Sequence, residues 1–179
     1  MYIVDADDFC ESNTEMDVLL KIKEVVPEFK ITLFTIVGLC SGRFFAEMSQ
    51  LDWIDLVPHG LYHPHPRECE NWAYIRCCRY LDLVDIVGIT KGFKAPGWQI
   101  SDGMYEALLE RGYWVADQEY NNSRRPPALK AYLLDSPNKL HFHIGRWNDH
   151  NLDNQISLHV ERLRTLRGEE FGFVKHALC

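Results

Sequence analysis

Three carboxylates fall within four positions near the start of the chain, Asp5, Asp7 and Asp8, directly after the apolar run Tyr2-Ile3-Val4. Strand alternation puts Asp5 and Asp7 on one face and sends Asp8 to the other face or onward into the loop. At the mouth of a sheet two neighbouring aspartates can divide the work, one binding a metal and the other accepting a proton. His59 and His63 follow, four residues apart. Two imidazoles and one carboxylate make a three-ligand set for a divalent ion and leave positions open for water and substrate. His65 is a rival to His63 that spacing does not eliminate. Lys94 ends another apolar run, where a buried cation would orient a proton-accepting aspartate and lower its pKa. His141 and His143 flank Phe142, so both imidazoles project from one face of a strand. Each piece also has an ordinary explanation: a capped strand end, a His-Pro loop, a core histidine and, for Asp117, a helix or turn cap.

The elements that must carry these groups can be read from periodicity. Glu15–Val26 has helical spacing stopped by Pro27, after a polar loop rich in cap residues. Lys30–Val37 reads as a buried strand, Arg43–Gln50 as a short helix and Trp53–Val57 as a strand leading to Pro58-His59-Gly60. A turn at His63-Pro64-His65-Pro66 leads into a helix from about Arg67 to Leu83, since Pro64 disfavours a helical conformation at His63. Ile89–Ala95 is a strand. Asp102–Arg111 is a helix capped by Ser101 or Asp102 and closed by Gly112. Tyr113–Ala116 is a strand, Leu129–Leu134 a weaker element, Lys139–Ile144 a strand, Asn151–Arg167 a helix and Phe171–Lys175 a closing strand. Strands alternating with helices argue for a parallel α/β fold. Roughly seven such units suit a closed or nearly closed barrel, with an open doubly wound sheet as the alternative. Either way the functional residues belong beyond the C-terminal ends of the strands.

The 179 residues suffice for one domain, 1–179, with a sizeable core. No linker or repeat divides them. The net charge of −7 makes nucleic acid a poor partner and suits neutral or cationic substrates. No apolar run reaches the length of a membrane span. No signal-like segment is visible, so a cytoplasmic protein with reduced thiols is expected. Six cysteines without a CxxC pair fit neither a disulfide framework nor a structural zinc site.

Asp7-Asp8 after an apolar strand, His-x3-His about fifty residues later, the cation-x-Pro motif Lys94-Ala95-Pro96, Trp114 three residues before Asp117, and a strand ending in His143 together resemble the polysaccharide deacetylase family. This is the NodB-homology domain, carbohydrate esterase family 4. The resemblance runs from Asp7 to His143. It implies a distorted seven-stranded (β/α) barrel and a metal-dependent deacetylase. Carried over, Asp7 is the catalytic base, Asp8, His59 and His63 are the metal ligands, and His143 is the general acid. Lys94 stands where the family has Arg-x-Pro, and Asp117 resembles the aspartate supporting that cation. His141 stands where the family has a Leu that helps line the acetyl pocket. Lys keeps the charge of Arg without its planar fork.

The expected reaction is hydrolysis of an N-acetyl amide on an amino sugar or polysaccharide, with zinc or a similar first-row divalent ion as cofactor. Trp98, Trp147 and Tyr120 could stack on a sugar face beside His141. Two alternatives remain at this stage. One is a metal-dependent amidohydrolase of a small acylated metabolite. The other is a sugar-binding barrel without catalysis.

Overall fold

The computed structural model describes residues 1–134, 138–145 and 153–178. Strand β1 (Tyr2–Phe9) is the axis of the molecule, buried along all but its first residue. It pairs in parallel with β2 (Ile31–Thr35), which pairs with β3 (Ile54–Pro58). A second parallel group consists of β4 (Gly92–Lys94), β5 (Trp114–Asp117) and β6 (Ala131–Leu133). β7 (Lys139–His143) returns to the other side of β1, and the two-residue β8 (Phe171–Gly172) pairs with its start. Among the described residues the eight strands thus form two curled parallel sheets, β3-β2-β1-β7 with β8, and β4-β5-β6. The expected single seven-stranded ring is not what the backbone hydrogen bonds form. They stop between β3 and β4, where Thr90 N–H still reaches the Leu56 carbonyl, and between β6 and β7.

Because all pairs are parallel, every strand delivers its last residues to the same end. The face inside the curl is set by alternation along β1. Val4 and Ala6 pack outward into the main core under the helices, whereas Ile3 packs inward with Phe34, Val57, Trp114, Ala116 and Tyr132. Asp5 and Asp7 share the inward face with Ile3. The register sets Asp5 opposite His141 and Asp7 opposite His143 on β7. Gly92 is required by this interior, since a Cβ there would lie 2.3 Å from the Trp114 ring.

The helices lie outside. α1 (Met16–Val25) buries Leu19 and Ile22. α2 (Gly42–Met48) buries Phe44 and Phe45 and is capped by the Ser41 hydroxyl, which accepts from Phe44 N–H. α3 (Tyr74–Val87) buries Cys77, Tyr80, Leu81 and Val84, the i, i+3, i+4, i+7 stripe of one helix face. α4 (Asp102–Glu110) starts as expected at Ser101, whose hydroxyl accepts from Met104 N–H. Its buried Met104, Tyr105, Ala107 and Leu108 seal β5 from outside.

Several boundaries differ from expectation; the strand expected over 89–95, for example, is only Gly92–Lys94. The helix expected over 67–83 begins only at Tyr74, because Glu68 turns back to bind the preceding loop. The helix expected over 151–167 is, in its described part, a 3-10 turn (Ile156–His159) and the short α5 (Val160–Arg164). Only Ile156 and Leu163 of these two turns are buried. The closing strand ends at Gly172, and Val174–His176 forms a 3-10 turn. The first polar loop also behaves differently. Asn13 does not cap α1 but donates to the carbonyls of Asp8 and Ile144, clipping the ends of β1 and β7 together. Cys10, Cys40, Cys69, Cys77 and Cys78 are free thiols. No helix among the described residues is long and apolar enough to cross a membrane.

Candidate active site

Asp8 does not point away from Asp7. The β1–β2 register slips by one residue between Ala6 and Phe9, and Asp8 takes φ 68°. This bulge turns a residue that alternation would send outward back toward the strand mouth. Asp tolerates the left-handed region better than most residues, which suits it to the position. The Nε2 of His59 consequently lies 3.8 Å from both an Asp7 oxygen and Asp8 Oδ1.

His59 follows β3 directly and His63 ends the short loop after it. Asp8, His59 and His63 are all buried, and one donor atom from each lies within 4.8 Å of the others. Nε2 of His63 is 3.5 Å from Asp8 Oδ1. Asp8 Oδ1 is thus 3.8 Å from the His59 nitrogen and 3.5 Å from the His63 nitrogen, within a few tenths of an ångström of the roughly 3.3–3.4 Å between two donors on a tetrahedral ion with ligands at about 2.0–2.1 Å. His59 Nδ1 donates to the Lys94 carbonyl at 3.0 Å, which leaves its Nε2 lone pair facing the other two donors. Burial pushes the His59 imidazole down to about 4 against the opposing pull of Asp7 and Asp8. It is therefore neutral at physiological pH, the form that binds metals. His65, the rival ligand, is exposed and its Nδ1 accepts the Arg67 N–H instead.

The ligand loop is held by a residue that motif reading passed over. The Glu68 carboxylate accepts the backbone N–H groups of Leu61, Tyr62 and His63 at 3.0–3.1 Å. His63 sits at φ 47° and Gly60 at φ 70°. A Cβ on Gly60 would lie 2.3 Å from Glu68 Oε2, so the carboxylate approaches because position 60 is glycine. A Glu within a Pro-Arg-Glu-Cys stretch carries no sequence signal of this role.

Lys94 is 1% exposed, and its ammonium donates to both Asp7 oxygens at 2.6 and 2.7 Å. The same ammonium stands 4.1 Å from the Trp98 ring centre and 4.8 Å from that of Phe34. Burial pushes the Asp7 carboxyl up, but Lys94 and the imidazoles of His59, His141 and His143 more than reverse this and hold it well below the usual carboxylate range. His143 Nδ1 is 2.9 Å from Asp8 Oδ2, so Asp8 offers one oxygen to the His59–His63 side and the other to His143.

These groups surround a cavity of about 240 Å3 at the C-terminal ends of the strands, lined also by Pro66, Gly97 and half-buried Trp98. A larger cleft of about 490 Å3 between α2 and the end of α3 contains none of the sequence-derived site residues. Two other expectations fall outside the cavity. Asp117 is buried, but its carboxylate receives Tyr105, Asn121, Arg125 and the Gln118 N–H, while Lys94 is held by Asp7. Tyr120 is exposed on the turn Glu119–Asn121, away from the cavity lining. Trp147 lies outside the described residues. Asp5 and Arg125, unassigned from sequence, prove to be the partners of His141 and Asp117, Asp5 buried and Arg125 half-buried.

No protein-family model and no curated relative matches this sequence. Solved structures do. The Xyl-CE4 domain of a multidomain xylanase from the hindgut metagenome of Trinervitermes trinervoides superposes with a TM-score of 0.62 at 15% identity, over 98% of this chain and 87% of its own. A family 4 acetyl xylan esterase from Clostridium thermocellum, solved with a cobalt ion, gives 0.63 at 12% identity, over 98% and 88%. A family 4 carbohydrate esterase from Streptomyces lividans, solved with acetate, gives 0.56 at 14% identity, over 99% and 96%. Along nearly its whole length, then, this chain has the fold of the family 4 carbohydrate esterases, the NodB-like fold that its ordered motifs resemble.

Proposed function

We propose that this protein is a metal-dependent hydrolase that removes an acyl group, in the first place N-acetyl, from an amino sugar or polysaccharide. The observation that carries the reading is the convergence of Asp8, His59 and His63 as one buried donor set beside a second aspartate, Asp7, held by Lys94. The donor chemistry suits zinc and other first-row divalent ions, and cobalt is the ion in one structural neighbour. When bound, such an ion polarises a carbonyl and makes a water acidic. The catalytic unit would be the whole chain, 1–179, on the distorted barrel.

Each side chain then has a stated task. Asp7, kept ionised by Lys94, accepts the proton of the attacking water. Asp8, His59 and His63 hold the ion, and Glu68 holds the loop that carries His63. His143, oriented through Nδ1 by Asp8, gives a proton to the leaving nitrogen. Trp98 offers an aromatic edge to a sugar ring at the cavity wall. Tyr120, exposed on its turn, does not line that cavity.

The test is metal content and turnover measured together. The purified protein, stripped with a chelator and reloaded with zinc or cobalt, should bind one equivalent. It should then deacetylate N-acetylglucosamine oligomers. Running O-acetylated xylan oligomers and small N-acetylated metabolites in parallel separates amide from ester and polymer from metabolite. A protein that binds the ion but hydrolyses none of these is the sugar-binding barrel without catalysis.

A further inference from the structure

His141 and Asp5 have no task in the reaction above, yet they form a polar pair against the catalytic cavity, with Asp5 fully buried and His141 partly exposed. Asp5 is 0% exposed within β1. Its Oδ2 accepts from the Tyr132 hydroxyl at 3.1 Å, and its Oδ1 lies 2.5 Å from His141 Nδ1. That contact puts the His141 hydrogen on Nδ1 and leaves the Nε2 lone pair facing inward. Nε2 is 3.5 Å from Lys94 Nζ. An ammonium has three hydrogens and no acceptor. Two of those on Lys94 go to Asp7, and the third has His141 Nε2 as its acceptor. A single hydrogen-bonded line thus runs Tyr132–Asp5–His141–Lys94–Asp7.

From this line we infer that Asp5 and His141 are positioning residues, which lock the Lys94 ammonium so that it presents both remaining hydrogens to Asp7. The physical need is plain. An ammonium on a four-carbon stem rotates freely and lacks the fork with which a guanidinium grips a carboxylate. His141 supplies the missing constraint, and the buried Asp5 fixes the ring that supplies it. The alternative use of the same groups is a second metal site, because Asp7, His141 and His143 also offer donors within 4.8 Å. Lys94 argues against it, since its charge already stands between Asp7 and His141. The inference rests on Asp7 being the base of the proposed hydrolysis, but the lock itself can be observed without turnover.

Two measurements test it. In the reloaded enzyme, His141→Leu and Asp5→Asn should lower kcat about tenfold or more, with KM and metal stoichiometry kept. His141→Gln should recover most of the loss, because its amide can donate to Asp5 and accept from Lys94 without titrating. In the metal-free protein, the 1H–15N ammonium signal of Lys94, assigned by its absence in Lys94→Met, should shift or broaden in His141→Leu and return in His141→Gln. Asp5→Asn is isosteric, and His141 is partly exposed, so a folding failure of one leaves the other. A His141→Leu variant with wild-type kcat, or with the Lys94 signal unmoved, overturns the inference. So does a Gln variant no better than Leu, which would make His141 a proton carrier in its own right. If the wild type hydrolyses nothing, the hydrolase reading fails and the Lys94 signal alone decides the lock.

Discussion

Asp7 and Asp8 are adjacent, both buried and chemically identical, yet their surroundings divide them. Asp7 has both oxygens on an ammonium, which keeps it ionised and engages no imidazole closer than 3.7 Å. Asp8 lies between imidazoles, at 3.5 Å from His63 and 2.9 Å from His143, with no lysine partner among the described residues. Removing one group should therefore remove one property. Asp7→Asn should keep one equivalent of metal by elemental analysis while kcat falls by about 10²–10⁴, the usual worth of a positioned general base. Asp8→Ala should lose the metal itself and with it any turnover. Asp7→Asn turning over at the wild-type rate would sink the assignment of the base. His143→Ala belongs to the same scale. It should lower kcat on amide substrates more than on activated aryl esters, whose leaving groups need no proton.

At the level of elements, the site depends on two local departures from regular structure, the Ala6–Phe9 bulge and the loop from Gly60 to His63. The bulge brings Asp8 round, and the loop brings His63 back over it. Glu68 secures that loop by accepting three successive N–H groups that would otherwise be left to solvent. Glu68→Gln keeps the size but gives up the charge and one acceptor, and Glu68→Ala removes the clip. Supporting groups of this kind are worth about 10–100-fold in metal affinity. We expect Glu68→Ala to weaken zinc binding within that range, with Glu68→Gln between it and wild type, as read by competition with a chromogenic chelator. Equal affinity in all three proteins would show that the loop holds itself. These two departures also mark where sequence reading stops. Alternation predicted the shared face of Asp5 and Asp7 and of His141 and His143, because a period of two is a property of every strand. It left Asp8 either on the other face or onward into the loop, because a one-residue bulge leaves no compositional trace to decide between them. It ran α3 back to Arg67, because Arg, Glu and Cys fit helical spacing and nothing in that spacing shows a carboxylate turned toward backbone amides. The family resemblance gave Asp117 to Lys94, because motif order says which groups are present and not which pair. The cation that Asp117 binds is Arg125, from a loop whose partner cannot be read locally.

For the molecule as a whole, the relevant fact is that β1 is common to both functions of the fold, support and chemistry. Its outward face is the floor of the main core through Val4 and Ala6, and its inward face carries Asp5 and Asp7. The proposed metal donors come from β1 and from the end of β3 with its following loop, two strands away across β2. An ion held by all three donors exists only in the folded chain, because no two of those segments are neighbours in sequence except His59 and His63. Binding is then linked to folding: at a free zinc concentration about 100 times the Kd, stability rises by about 2.7 kcal/mol. For a chain of this length, about 1 kcal/mol corresponds to about 2–4 °C in Tm. Saturating zinc should accordingly raise the Tm of the stripped protein by about 5–11 °C in a thermal melt. The increment should vanish in Asp8→Ala and persist in Asp7→Asn, since only the first removes a donor. A zinc-independent Tm in the wild type would mean that the three side chains meet for packing and not for a cation. The comparison between the two aspartate variants then separates the ion's contribution from any general loosening of β1, because both substitutions disturb the same strand by one residue's difference in position.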